Sequence, residues 1–149
     1  MAILETSRHK IPLLAAGQAH KELFHNEALA RIDLLIHPVV QSIETDPTSI
    51  MPSSGHAWLV GTGAIDEWLG HDHEIAGWSG NGWLFIAPQP HMQAYVEPIG
   101  CMAVFRGSWQ IVPAIANPAG GTVVDAEART AIDSILAALR AQGVLDSGT

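Results

Sequence analysis

Between residues 66 and 74 the chain gathers Asp66, Glu67, His71, Asp72, His73 and Glu74. In the run Gly-His-Asp-His-Glu, two imidazoles flank a carboxylate and could offer ligands to a metal on one side of a strand. No second cluster has ligand spacing, and the other histidines are scattered. A polar turn between Trp68 and Ile75 is the plainer reading. The four carboxylates at 66, 67, 72 and 74 could supply the acid and base of glycoside hydrolysis only at a working separation. Such a run more often forms a solvated loop. Ser79 and Ser108 have no Gly-x-Ser-x-Gly setting. Gly61-Thr62-Gly63-Ala64 is too short for a phosphate-binding loop and lacks the following lysine. A non-enzyme is therefore expected, with no catalytic residue, metal site or cofactor.

The tryptophans are the stronger signal. All five (58, 68, 78, 83 and 109) fall between residues 56 and 112. Burying one yields about 2–3 kcal/mol, which short strands need, whereas stacking a sugar leaves that stabilisation unrealised. Along Trp83–Ile86 both alternating faces are apolar, so both should be covered: one by the core, the other by a helix or a neighbouring chain. This makes Leu84 and Ile86 candidate interface residues. Trp68 and Trp78, beside Gly-rich turns, join Tyr95 as candidates for carbohydrate binding.

The elements that would position these side chains divide the chain into 1–37, an N-terminal arm with helices; 38–112, a Trp-rich β region; and 113–149, a linker and C-terminal helix. These are expected to form one folding unit of the α+β class. Residues 13–37 read as helix, in two pieces. Asn26 serves as N-cap of the second, which carries Leu29, Ile32, Leu35 and Ile36 on one face and ends at Pro38. Residues 45–55 are a loop by composition.

Six short strands follow, in His56–Gly61, Glu74–Ser79, Gly82–Ala87, Met92–Glu97, Cys101–Arg106 and Ser108–Val112, expected to pair as small antiparallel hairpins. "IAGWSGNGWLFI" and "MAVFRGSWQIV" repeat one pattern, matching Trp78 to Phe105 and Trp83 to Trp109. Asn81-Gly82 is a tight-turn signal, since both residues tolerate positive φ. The final helix starts at an Asp125 N-cap and stops at Gly143. Its stripe of Ala128, Ile132, Ile135, Leu136 and Leu139 must dock on something, either residues 27–37 or another subunit. Ile132, Ile135, Leu136 and Leu139 are accordingly candidate oligomer-interface residues.

Composition narrows the function classes. A net charge of −8 with seven basic residues argues against nucleic acid and anionic membrane surfaces as partners. No apolar run reaches membrane-spanning length, and the N-terminus lacks a signal-peptide pattern, so synthesis in the cytoplasm without secretory export is expected. Cys101 is the sole cysteine, and its apolar neighbours suggest a buried, unreactive thiol. Hydrophobic content of 48% implies surface hidden against copies of the chain or a partner.

Residues 11–36 resemble the opening of an uncharacterised domain family of alphaproteobacterial prophages and gene transfer agents. The resemblance is carried by Pro12, Leu13, Gln18, Ala19, Lys21, Asn26, Glu27, Ala28, Leu29, Ile32 and Asp33. The Trp-rich centre is similar to the same family, and the tail to a helix common in phage tail and fibre proteins. The resemblance implies a virion or gene-transfer-agent component, such as a head spike, tail fibre or attachment base. It would form a homo-oligomer among other virion proteins, a trimer first and a pentamer at a capsid vertex as the alternative. The second expectation is a module gripping host capsule or envelope polysaccharide. A metal-dependent hydrolase using His71, Asp72 and His73 is the third.

Overall fold

The computed structural model describes residues 4–17, 21–112 and 114–146. Helix α1 spans Lys21–Leu35 and α2 spans Ala126–Ala141. Between them lie eight strands: β1 Val39–Val40, β2 Ile43–Glu44, β3 Ala57–Val60, β4 Ile75–Trp78, β5 Trp83–Ile86, β6 Gln93–Val96, β7 Cys101–Phe105 and β8 Trp109–Ile111. The α+β class holds, and all six strands expected from the sequence are present.

The strands form two four-stranded sheets, ordered β1-β6-β7-β8 and β2-β3-β4-β5. Each is a three-stranded antiparallel meander with a two-residue parallel strand on its edge. The sheets are therefore mixed, where purely antiparallel hairpins were expected. Two residues have no readable period, and a parallel partner lies far away in sequence.

The repeat seen in the sequence extends over whole sheets. Trp78 faces Trp83 across β4 and β5, and Phe105 faces Trp109 across β7 and β8. With those pairs matched, every other register coincides: Leu59–Ile75 with Tyr95–Met102, and Ile43–Leu59 with Val39–Tyr95. The two sheets nevertheless stack front to back. Trp109, Ile111, Ala94 and Ala103 of the first sheet pack on Ala57, Leu59, Ile75, Leu84 and Ile86 of the second in one core. Trp83 and Phe85, the counterparts of Trp109 and Ile111, face away from that core into a second cluster with Trp58, Val60, Ala64, Trp68 and Ala76. The β2–β3 sheet is thus the outermost layer, and its Trp face needs a cover that no third sheet supplies.

Both sides of β5 are covered, as its alternation demands. The second cover, however, is the chain's own other sheet. Ile86 is 9% exposed and Leu84 is packed against the inter-sheet core, which removes both from the expected oligomer interface.

The N-terminal helix is also corrected. Among the described residues, 4–17 form no helix, and α1 runs unbroken through Asn26. The motif residues Gln18 and Ala19 lie outside the described residues. Instead of capping a helix, Asn26 pins an extended segment: its Oδ1 accepts from the Leu14 amide and its Nδ2 donates to the Leu14 carbonyl, both at 2.9 Å. The helix ends with His37 at φ 46°, just before Pro38. Arg31 Nη1 donates to the Phe85 carbonyl at 2.7 Å, tying α1 to β5. Between the two strands of the first hairpin, Gly80 takes the positive φ (93°) and Asn81 does not. The Ser79 hydroxyl closes that loop on the Gly82 carbonyl at 2.8 Å.

Helix α2 is capped as expected, with Asp125 Oδ1 accepting from the Ala128 amide at 2.9 Å and Gly143 at φ 66°. Its Leu136 is buried and Leu139 half-buried within the chain, whereas Ala128, Ile132 and Ile135 are exposed. The chain just beyond it is fastened to β7, where the Met102 amide donates to the Gly143 carbonyl at 2.7 Å. No helix among the described residues is long and apolar enough to cross a membrane.

Candidate functional site

The cover over the outer Trp layer comes from the loops flanking β3. One is the 45–56 loop, and the other is the 61–74 loop with its short 3-10 turn over Asp66–Trp68. Asp72 holds the second loop in shape by accepting from the Gly63 and Ala64 amides, each at 2.9 Å. Those two amides hold its carboxyl below the ordinary carboxylate range, against a small opposing effect of burial and with some help from His73. Trp68 is thereby driven into the layer, where it is fully buried.

Trp83 is the centre of the cluster. Its ring meets Trp58, Trp68 and Trp78 edge to face, at centroid distances of 5.5, 5.1 and 5.0 Å. Its Nε1 donates to Glu67 Oε2 at 2.9 Å. Such perpendicular contacts suit the aromatic quadrupole and fix ring orientation.

The cover is incomplete. A groove of about 400 Å³ opens between Pro47, Thr48, Ile50 and Pro52 of the first loop, Asp66 and Glu67 of the second, and Trp78 and Trp83 of the sheet. That size falls within the range of small-ligand sites. The two indoles meet at 70°, forming a corner. Asp66 keeps a left-handed backbone (φ 52°) at the start of its turn, a conformation uncommon outside glycine, asparagine and aspartate. Next to the groove, the Thr48 hydroxyl and amide both donate to Asp46 Oδ1, at 2.6 and 2.8 Å, and hold its carboxyl below the ordinary range.

The three carbohydrate-binding candidates do not converge. Trp68 has no exposed face, because the second loop turns it inward. Its Nε1 is buried without a hydrogen-bond partner, and nothing in the fold explains that. Tyr95 stands on the far face of the other sheet, beside His37, Val39, Gln93 and Met102. Trp78 alone reaches the groove. Its neighbours there, Glu67 and the Pro47–Pro52 segment, escaped sequence reasoning. The available signal was Ile50, an apolar residue bracketed by prolines in a polar loop.

The His-Asp-His run has other tasks. His71 stacks on Phe85 with centroids 3.6 Å apart and places Nδ1 2.8 Å from Glu74 Oε2. The His73 carbonyl accepts from Trp109 Nε1 at 2.8 Å, linking the two sheets. No His, Cys, Asp or Glu group among the described residues is arranged to hold a metal ion. Cys101 is buried, and burial, with Asp146 nearby, pushes its thiol up.

Of the interface candidates on α2, Leu136 is buried within its own chain and Leu139 is half-buried. Leu136 therefore leaves the set. Ile132 and Ile135 are 44% and 59% exposed.

Residues 25–110 match the family described as Protein of unknown function (DUF2793). The chain belongs to the DUF2793 family. The DUF2793 region takes in most of α1 and both sheets up to Gln110 in β8, and therefore the whole groove. The N-terminal segment and α2 lie outside it. No curated protein matches the chain.

Proposed function

We propose that the chain is a non-enzymatic structural component of a phage-type or gene-transfer-agent particle, such as a head spike, tail fibre or attachment base, made in the bacterial cytoplasm and assembled as a homo-oligomer. The observation that carries this reading is the apolar stripe of α2, on which Ala128, Ile132 and Ile135 are exposed and Leu139 is half-buried. Ala128, Ile132, Ile135 and Leu139 follow a 4-3-4 spacing, the seam of a coiled coil. Isoleucine at both seam positions of the central heptad shifts preference from dimers to trimers and tetramers. A trimer through α2 is the proposed assembly, and a pentamer is the alternative. The resemblance of residues 11–36 to particle proteins supports the same class. In light scattering the wild-type chain is expected as a trimer at micromolar concentration. Ile132→Asp/Ile135→Asp is expected as a monomer with unchanged circular dichroism from the sheets. A monomeric wild type contradicts this reading.

The groove favours a second, compatible reading: the particle component also binds host capsule or envelope polysaccharide. Trp78 would supply the stacking face, and Asp66, Glu67 and Thr48 the hydrogen-bonding groups. A glycan array probed with the purified oligomer tests it. Binding to a defined glycan class is expected, and a blank array contradicts it.

A further inference from the structure

We infer that the Trp78–Trp83 groove selects a ligand bearing an ammonium group, either methylated or carried on an amino sugar. This rests on the groove being the binding surface and goes further by naming the charge of what enters it.

The first observation is the absence of any counter-charge. Residues 32–105 contain no lysine or arginine, so no basic side chain from either loop or from the sheet lines the groove. Asp66 and Glu67 line it and form no salt bridge among the described residues. Asp46, held ionised by Thr48, adds a third negative charge beside Pro47. Anionic sugars would meet repulsion with nothing to offset it.

The second observation is the shape of the aromatic part. Trp78 and Trp83 both line the groove, their rings in edge-to-face contact at 70° with centroids 5.0 Å apart. Indoles lining a groove beside carboxylates suit a compact cation, which the negative face of an aromatic ring attracts. Glu67 contributes twice: Oε2 fixes the Trp83 ring through Nε1 at 2.9 Å, and its carboxylate lines the groove. The histidines of the region do not oppose this, since His71 is stacked on Phe85 and paired with Glu74, and neither His56 nor His73 lines the groove.

Calorimetric titration of the full chain with choline chloride, glucosamine hydrochloride, N-acetylglucosamine, glucose and glucuronate tests the inference, at a slightly acidic pH where the amino sugar is protonated. At least one cation is expected to bind about tenfold more tightly than the neutral sugars. Whichever of choline and glucosamine binds more tightly identifies the source of the ammonium group. The variant Asp66→Asn/Glu67→Gln is expected to erase that preference. Both substitutions preserve the fold, because asparagine tolerates a positive φ and glutamine retains an oxygen for Trp83 Nε1. The inference is overturned if neutral sugars match the cations, if glucuronate binds best, if the preference survives the double substitution, or if no probe binds. Neutral sugars bound through Trp78 without charge preference would remove only the cation. Probes that bind but are all indifferent to Trp78→Ala would remove the groove as well.

Discussion

Replacing Gly77 with alanine is expected to destabilise the chain by roughly 3 kcal/mol, the upper part of the range for overpacking a closed core. A Cβ at Gly77 would lie 2.2 Å from Leu34 Cδ1, 3.0 Å from Cδ2 and 3.1 Å from Cγ. Leu34 is itself 3% exposed and part of the inter-sheet core, so its side chain has nowhere to retreat. The internal repeat supplies a control. Val104 occupies the matching position in the other sheet and is only half-buried. Glycine at 77 is thus the mark of α1 docking on β4. Thermal unfolding should shift down by on the order of 10 °C. In a double-mutant cycle with Leu34→Ala, the combined loss should fall short of the sum of the two single losses, since the smaller residue makes room for the added methyl. Additive losses would place the cost elsewhere.

Asp33→Ala is expected to cost about 3 kcal/mol by stranding buried donors. Asp33 is 3% exposed and gathers the 6–9 turn around its carboxylate. Its carboxylate accepts from the Thr6 hydroxyl at 2.8 Å and from the amides of Arg8 and His9 at 2.9 and 2.7 Å, with His9 Nδ1 at 3.1 Å. Arg8 then reaches the end of α1, donating to the carbonyls of Asp33, Leu34 and His37. Burial alone would raise the carboxyl pKa. The Arg8 and His9 amides, with the Thr6 hydroxyl and the His9 ring, outweigh that effect and hold it below the ordinary value.

A lowered native pKa means that the unfolded chain takes up the proton first. The stabilisation is therefore complete above the unfolded value of about 4 and is lost as pH falls through the lower native value. Urea midpoints should show this acid-dependent loss in wild type, and a smaller slope in Asp33→Asn over the same acidic range. Equal slopes would assign the acid sensitivity to other carboxylates.

Much of this architecture could be read from residue pattern. Six strands were legible because Gly and Pro punctuate runs of alternating apolar residues. The repeat of Trp83 in Trp109 was visible as spacing. The parallel edge strands were hidden, because Val39–Val40 and Ile43–Glu44 are too short for any period. Asn26 misled because a side chain that suits a helix cap equally suits a backbone bridge to Leu14, and sequence does not show which neighbour arrives. The alternation at Leu84 and Ile86 correctly required a second cover but could not name the chain's own first sheet. Trp78 was legible as the tryptophan that the repeat matches to Phe105 and not to another tryptophan. Its partner Glu67 and the proline-bracketed cover were not, since their approach depends on how two loops fold over β3.

The front-to-back stack gives the groove its origin. Trp109 packs against the next sheet in the inter-sheet core, whereas the Trp83 layer is covered by loops alone, and the groove beside it is lined by Trp78. The most direct measurement is a calorimetric titration of a glycan selected on the array into wild type and Trp78→Ala, each shown to be folded by thermal unfolding. Saturable binding by wild type, weakened about tenfold or more in Trp78→Ala, is the expected result. Equal affinity in the two proteins would contradict the assignment of this groove as the binding surface.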